Sequence, residues 1–186
     1  MAYYLRNILQ LILAPHKAWA EIADDDCTPS RLLDRGLYPL LGVVALTAFC
    51  HGLYSIEDFD IVRALESAVA QFVALFISVL LGRALFEAII PALTAAGQKV
   101  PVSLLATVPA YCMGVLAIIQ IIGNLCPVHL LVLDFLPAIL VIIFWQAHDY
   151  LYIDRYKYAG YAVFGIFTVI VMPLVLIAIF KALLSI

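Results

Sequence analysis

Five long apolar runs dominate this sequence, separated by short stretches that hold most of the charged and turn-forming residues. They cover residues 36–54, 67–93, 103–123, 130–147 and 158–184. A helix rises about 1.5 Å per residue, so roughly 20 apolar residues cross a hydrocarbon core of about 30 Å. Each run is close to that length, and the second and fifth, being longer, are expected to tilt or to project beyond the core. Strands of a membrane barrel would instead read as segments of about 10 residues alternating apolar and polar positions. These runs are continuous. The pattern predicts an all-α integral membrane protein with five transmembrane helices.

Ahead of the first run, residues 3–14 read as a helix with Leu5, Ile8, Leu9 and Ile12 on one face and Arg6, Asn7 and Gln10 elsewhere. Pro15 suits the first turn of a second helix, Pro15-His16-Lys17-Ala18-Trp19-Ala20-Glu21-Ile22, in which Trp19 and Ile22 share a face. Two arrangements fit. The pair lies on the inner leaflet with Trp19 and Ile22 dipped into the headgroup boundary, or it covers the cytoplasmic end of the bundle. Ala18-Trp19-Ala20 matches a small-x-small cleavage site, but Gln10 interrupts the apolar core and Pro15-His16-Lys17 precedes the cut. The segment is therefore expected to be retained. Residues 1–35 form a cytoplasmic or interfacial N-terminal segment and residues 36–186 the five-helix domain.

Basic residues orient the chain. With the N-terminus inside, Arg6, Lys17, Arg31, Arg35, Lys99, Arg155 and Lys157 lie on the cytoplasmic side, and Arg63 and Lys181 outside. An N-in, C-out topology is expected.

Composition narrows the function classes. Of the 186 residues 66% are hydrophobic and 12% charged, against roughly 45–50% and 25% in soluble domains. That supply of polar residues cannot cover a soluble fold of this size. A net charge of −3 carries no basic excess, which argues against nucleic acid as a partner. Cys27, Cys50, Cys112 and Cys126 form no C-x-x-C pair and read as small hydrophobes rather than a disulfide framework or zinc site. No zinc-protease, nucleophile-elbow, Walker or Rossmann pattern occurs, so neither a catalytic activity nor a cofactor is expected.

The remaining polar residues supply the candidate chemistry. Ala70, Ala74, Ser78 and Gly82 recur every fourth residue in the second run, and Ala106, Ala110 and Gly114 in the third. Small residues let helix backbones approach closely in lipid. The two stripes are expected to pack within the chain or against a second subunit. Arg83 and Glu87 sit one turn apart; with the helix starting near Ser67, Arg83 lies about 24 Å along it and snorkels to the inner headgroups. At the other leaflet His51, Gln120, Asn124, His129 and Asp134 gather. They either close the bundle end with hydrogen bonds, Asp134 pairing with His51 or His129, or form a proton relay or metal site. Asp24-Asp25-Asp26 reads as a solvated acidic linker, without the alternate spacing and glycine of a calcium loop. The loop from His148 to Tyr158, with Trp145 and Tyr161, reads as an aromatic belt at the inner interface. Pro173 is expected to kink the fifth span.

Pro15-x-x-x-Trp19-x-x-Ile22 before five closely spaced spans, Gly82-Arg83 late in the second and Ala110-Tyr111 in the third resemble the Yip family, named for proteins interacting with Ypt/Rab GTPases, in its short bacterial form. The resemblance covers nearly the whole chain. It implies a multi-pass protein of a bacterial inner membrane without enzymatic chemistry, which organises the bilayer or scaffolds partners. Its partners would be lipid, a second copy or other membrane proteins. The Asp-Leu-Tyr-Gly-Pro type motif of eukaryotic relatives is absent, Gly36-Leu37-Tyr38-Pro39 being only a faint echo of it, which argues against a GTPase partner. The competing class is a small transporter or channel using Asp134, His129 and the Arg83–Glu87 pair.

Overall fold

Prolines set the first corners of the chain. A computed structural model describes residues 1–25, 28–54, 60–126 and 135–184, and of residues 52–54 the backbone alone. Helix α1 (Ala2–Leu13) ends at Ala14, which takes φ −148° and ψ 69°. A residue before proline is pushed out of the helical region by the ring, and Pro15 then occupies the first turn of α2 (Pro15–Ala23). Pro29 starts the short α3 (Pro29–Leu32) in the same way. A π-helical turn, Leu33–Leu37, joins α3 to α4 (Tyr38–Tyr54).

The long apolar runs fold as helices. Asp60 caps α5 (Ile61–Leu93) by accepting from the Val62 amide at 2.9 Å. Helix α6 (Val102–Leu125) follows a turn in which Gly97 takes φ +84°, a conformation open to residues without a Cβ. After α7 (Ala138–Gln146) and a short 3-10 turn, Arg155–Lys157, the chain ends in α8 (Tyr158–Gly165), a second π-helical turn, Ile166–Val171, and α9 (Met172–Leu184). Pro173, where a kink is expected, lies in the first turn of α9 just after this π-helical turn. A proline ring has no N–H to donate and crowds the carbonyl four residues back, and a widened turn relieves that clash.

Among the described residues four helical segments are long and apolar enough to cross a membrane: Pro29–His51, Ile61–Leu93, Val102–Leu125 and Arg155–Leu184. The chain is therefore all-α and of multi-pass membrane type. The helix at the first span begins at Pro29, ahead of the apolar run at 36, and the second begins at Ile61 rather than near Ser67. In the run at 130–147 the described helix α7 has 9 residues, a rise of about 13.5 Å.

Helices α4, α5 and α6 pack on one another, α9 lies along α5, and α7 sits against α2, α6 and α8. Helix α6 is the centre: 16 of its 24 residues are buried, against 11 of 33 in α5. One end is stitched by the loops, where the Asp154 amide donates to the Leu93 carbonyl at 3.0 Å and Lys157 Nζ to the Ala92 carbonyl at 2.7 Å. The α1–α2 hairpin joins this end, with the Tyr150 hydroxyl donating to the His16 carbonyl at 3.3 Å.

Candidate functional site

The N-terminal hairpin supplies the first polar constellation. Tyr4, Asn7, Ile8 and Leu11 of α1 and Ala18, Trp19 and Ile22 of α2 are buried. Of the two arrangements open to this segment, the described contacts are those of a cover on the bundle: Trp19 and Ile22 turn inward rather than into a headgroup boundary. The Tyr4 hydroxyl donates to the Ala110 carbonyl at 2.7 Å, Asn7 Nδ2 to the Tyr111 hydroxyl at 2.8 Å, and Trp19 Nε1 to the Ile143 carbonyl at 2.8 Å. Tyr4 stacks on Tyr111 with centroids 5.1 Å apart, and Trp19 meets Tyr111 edge-on at 6.3 Å. Burial, with Tyr111 and Cys112 beside it, raises the Tyr4 hydroxyl well above its ordinary 10.0.

The small-residue stripes decide how these elements approach. Ala70, Ala74, Ser78 and Gly82 are all buried. A Cβ built on Gly82 would lie 3.8 Å from both Pro109 and Thr168, so this stripe faces α6 and the last span together. Ala106, Ala110 and Gly114 are buried as well, but Gly114 does not face α5. A Cβ there would run into the Tyr4 hydroxyl and come within 2.7 Å of Ile8, while one on Gly36 would lie 2.6 Å from Tyr4 Cγ. The Tyr4 ring is thus clasped between two glycines from different helices. The stripes do not simply pair with each other, because α1 occupies the face that Gly114 opens.

A second constellation sits near the opposite end. Asn124 Nδ2 donates to Gln71 Oε1 at 2.9 Å, and Gln71 Nε2 returns a bond to Asn124 Oδ1 at 3.3 Å. Asn124 Nδ2 also reaches Thr47 Oγ1 at 3.3 Å, and Thr47 donates to the Val44 carbonyl at 2.9 Å. His51 Nδ1 donates to the Asn124 carbonyl at 3.0 Å. The network joins α4, α5 and α6 through amide, hydroxyl, imidazole and backbone carbonyl groups, which satisfies amides that would be costly to bury unpaired. Gln120 is half-buried one turn before Asn124. His129 and Asp134 lie outside the described residues, as does Asp26 of the acidic run.

Arg83 Nε and Glu87 Oε1 are 2.8 Å apart on α5, with side chains 48% and 40% exposed. The pair lies on the outer surface of the bundle. Two cavities open at the end carrying the hairpin. One of about 560 Å³ is lined by Tyr3, Tyr4, Asp25, Arg31 and Arg35 among others, and one of about 490 Å³ by His16, Asp24, Asp149 and Tyr150 among others. Neither includes Arg83 or Glu87. Among the described residues no group of three or more histidine, cysteine, aspartate or glutamate side chains could hold a metal ion.

The aromatic loop divides. Trp145, His148 and Tyr158 form a ring cluster with centroid separations of 4.9–5.7 Å, and Tyr156 is almost fully exposed. Tyr161 is not part of a surface belt: it is fully buried, stacks on Phe144 at 4.3 Å and donates to its carbonyl at 2.8 Å.

Sequence reasoning missed Gln71 and Thr47 and gave Tyr4 and Asn7 no partner. The available signal was weak: a lone amide inside an apolar run, and two polar side chains on a helix with apolar residues on several sides. Comparison with protein-family models, with curated proteins and with solved structures returned no match.

Proposed function

We propose that this chain is a non-enzymatic five-pass protein of a bacterial inner membrane, resembling the Yip family, that organises the bilayer or scaffolds other membrane proteins. One observation carries the reading. Among the described residues the buried polar side chains are those of Asn, Gln, Ser and Thr and the hydroxyls of Tyr4, Tyr111 and Tyr161, with no buried carboxylate, lysine or arginine. Ion or proton pathways through membranes rely on intramembrane ionisable groups and water-filled routes. Among the described residues the interior is tied together by neutral hydrogen bonds, while the charged side chains sit on surfaces and at the two ends.

The five-span arrangement draws support from the ends of the helices. Asn124 near the end of α6 meets Thr47 of α4, whereas residues 151–154, after α7, meet Leu93 and Thr94 at the end of α5. These contacts, at opposite ends, agree with the fifth crossing that the reading assigns to the 130–147 run. The hairpin end then gathers Arg6, Lys17, Arg31, Arg35, Lys99, Arg155 and Lys157, which favours placing it in the cytoplasm. Arg83 with Glu87 serves as a surface anchor snorkelling toward that side.

Crosslinking in native membranes followed by mass spectrometry tests the scaffold reading: reproducible crosslinks to a second copy or to other membrane proteins are expected. Flux through proteoliposomes that disappears on Asp134→Asn or Arg83→Gln would replace the scaffold with a transporter.

A further inference from the structure

We propose that the cavity at the head of the first span binds the headgroup of an ammonium-bearing glycerophospholipid, with Arg31 and Arg35 holding the phosphodiester and Asp25 the ammonium. The proposal rests on the membrane-organising reading above and names a ligand for it.

The cavity holds about 560 Å³, and its lining includes Tyr3, Tyr4, Asp25, Arg31, Leu32 and Arg35. Volumes of about 300–1,000 Å³ suit small-molecule groups. Arg31 and Arg35 are exposed. The ion pairs among the described residues join Asp60 to Arg63, Arg83 to Glu87 and Asp149 to His148, and none of these involves Arg31 or Arg35. A guanidinium presents two parallel N–H groups that match phosphate oxygens, and two guanidinium groups four residues apart on one wall give a double clamp. Arg35 lies in the π-helical turn Leu33–Leu37. Such turns often accompany functional sites, and here Tyr4 packs directly on the turn's backbone at Gly36 and floors the cavity.

The acidic side of the cavity selects the ligand. Tyr3 donates its hydroxyl to Asp25 Oδ2, and Arg6 lies over the Tyr3 ring, 5.3 Å from its centroid. Among the described residues no hydrogen bond reaches Asp25 Oδ1, which faces the cation in this assignment. A doubly charged phosphate monoester would meet repulsion from this carboxylate. A phosphodiester carrying one negative charge, with an ammonium a few bonds away, complements both walls. The location fits a lipid, since the apolar span Pro29–His51 starts at this rim and headgroups gather at the ends of such helices.

The test is native mass spectrometry of protein extracted from nanodiscs containing equal parts of phosphatidylethanolamine, phosphatidylglycerol and phosphatidylcholine. The wild-type chain is expected to retain phosphatidylethanolamine over phosphatidylcholine, which has no N–H to give Asp25. Loss of both guanidinium clamps in Arg31→Gln/Arg35→Gln should lower that retention about tenfold or more, with each single variant intermediate. Asp25→Asn should weaken phosphatidylethanolamine and spare phosphatidylglycerol, and Arg63→Gln at the other end should change nothing. Equal retention by the single and double arginine variants and the wild type overturns the site. Equal retention of phosphatidylcholine overturns the role of Asp25, and displacement of the lipid by inorganic phosphate overturns the lipid identity. The readout needs only the isolated protein, so its failure is distinguishable from a failure to find crosslinked partners.

Discussion

Tyr4 is held by three kinds of contact at once: a hydrogen bond to the Ala110 carbonyl, a stacked Tyr111 ring, and the bare backbones of Gly36 and Gly114. The fit leaves no room for a methyl group at either glycine. Gly114→Ala should destabilise the protein by about 1–3 kcal/mol through overpacking and loosen α1, read as a lower melting temperature in detergent and faster proteolysis near residue 14. The hydroxyl also sets a pH limit. Its pKa in the folded chain lies well above 10.0 because burial disfavours the anion, so a released hairpin ionises first. The contribution of Tyr4 to docking is therefore complete below the ordinary tyrosine value and declines as pH rises past it. Protease release of the hairpin should increase above about pH 10 in the wild type. In Tyr4→Phe that increase should shrink, while docking at neutral pH weakens from the lost hydrogen bond.

Between helices, hydrogen bonds and close backbone approach do the work that hydrophobic contrast does in water. The paired amides of Asn124 and Gln71 hold α6 to α5 and, through Thr47, to α4. Asn124→Leu strands Gln71 and should cost about 1 kcal/mol, the scale of interhelical hydrogen bonds in membranes. Asn124→Leu with Gln71→Leu removes both polar groups and should recover much of that loss. A double variant as unstable as the sum of the two single ones would mean the amides act independently. The small face of α5 makes a second demand. Ser78→Leu with Gly82→Leu drives bulk between α5 and both α6 and the last span, and should unfold the bundle or change its assembly. Unchanged melting and unchanged size on a sizing column would contradict this.

For the molecule as a whole, the asymmetry of its two ends matters most. The hairpin, the loop after α5 and the loop before α8 are joined by hydrogen bonds at one end, and most basic side chains accompany them. Reporter fusions should read cytoplasmic after Lys99 and external after Ile186; an external signal after Lys99 would invert the topology. Much of this level was legible in advance. The apolar runs at 67–93, 103–123 and 158–184 correspond to the spans Ile61–Leu93, Val102–Leu125 and Arg155–Leu184. Pro15 and Pro173 each mark a local change in the helix, for the reasons a proline allows. The contacts of Tyr161 and Trp19 were not legible, because an aromatic residue near a span end is equally at home in an interfacial belt and in a core.

By itself the sequence determined the helical elements and their membrane character, because both follow from local quantities: the length of an apolar run, the prolines that bound it and the charges between runs. Only the tertiary structure decided which faces meet. Gln71 and Asn124 lie 53 residues apart and Tyr4 and Ala110 lie 106 apart, and no local pattern links such positions. The physical reason is the solvent. In lipid the outward face of a helix is as apolar as the inward one, so hydropathy cannot separate them. The inward faces of α1, α5 and α6 were chosen by the scarce groups that tolerate close approach or require a partner: the glycines, the tyrosines and the paired amides.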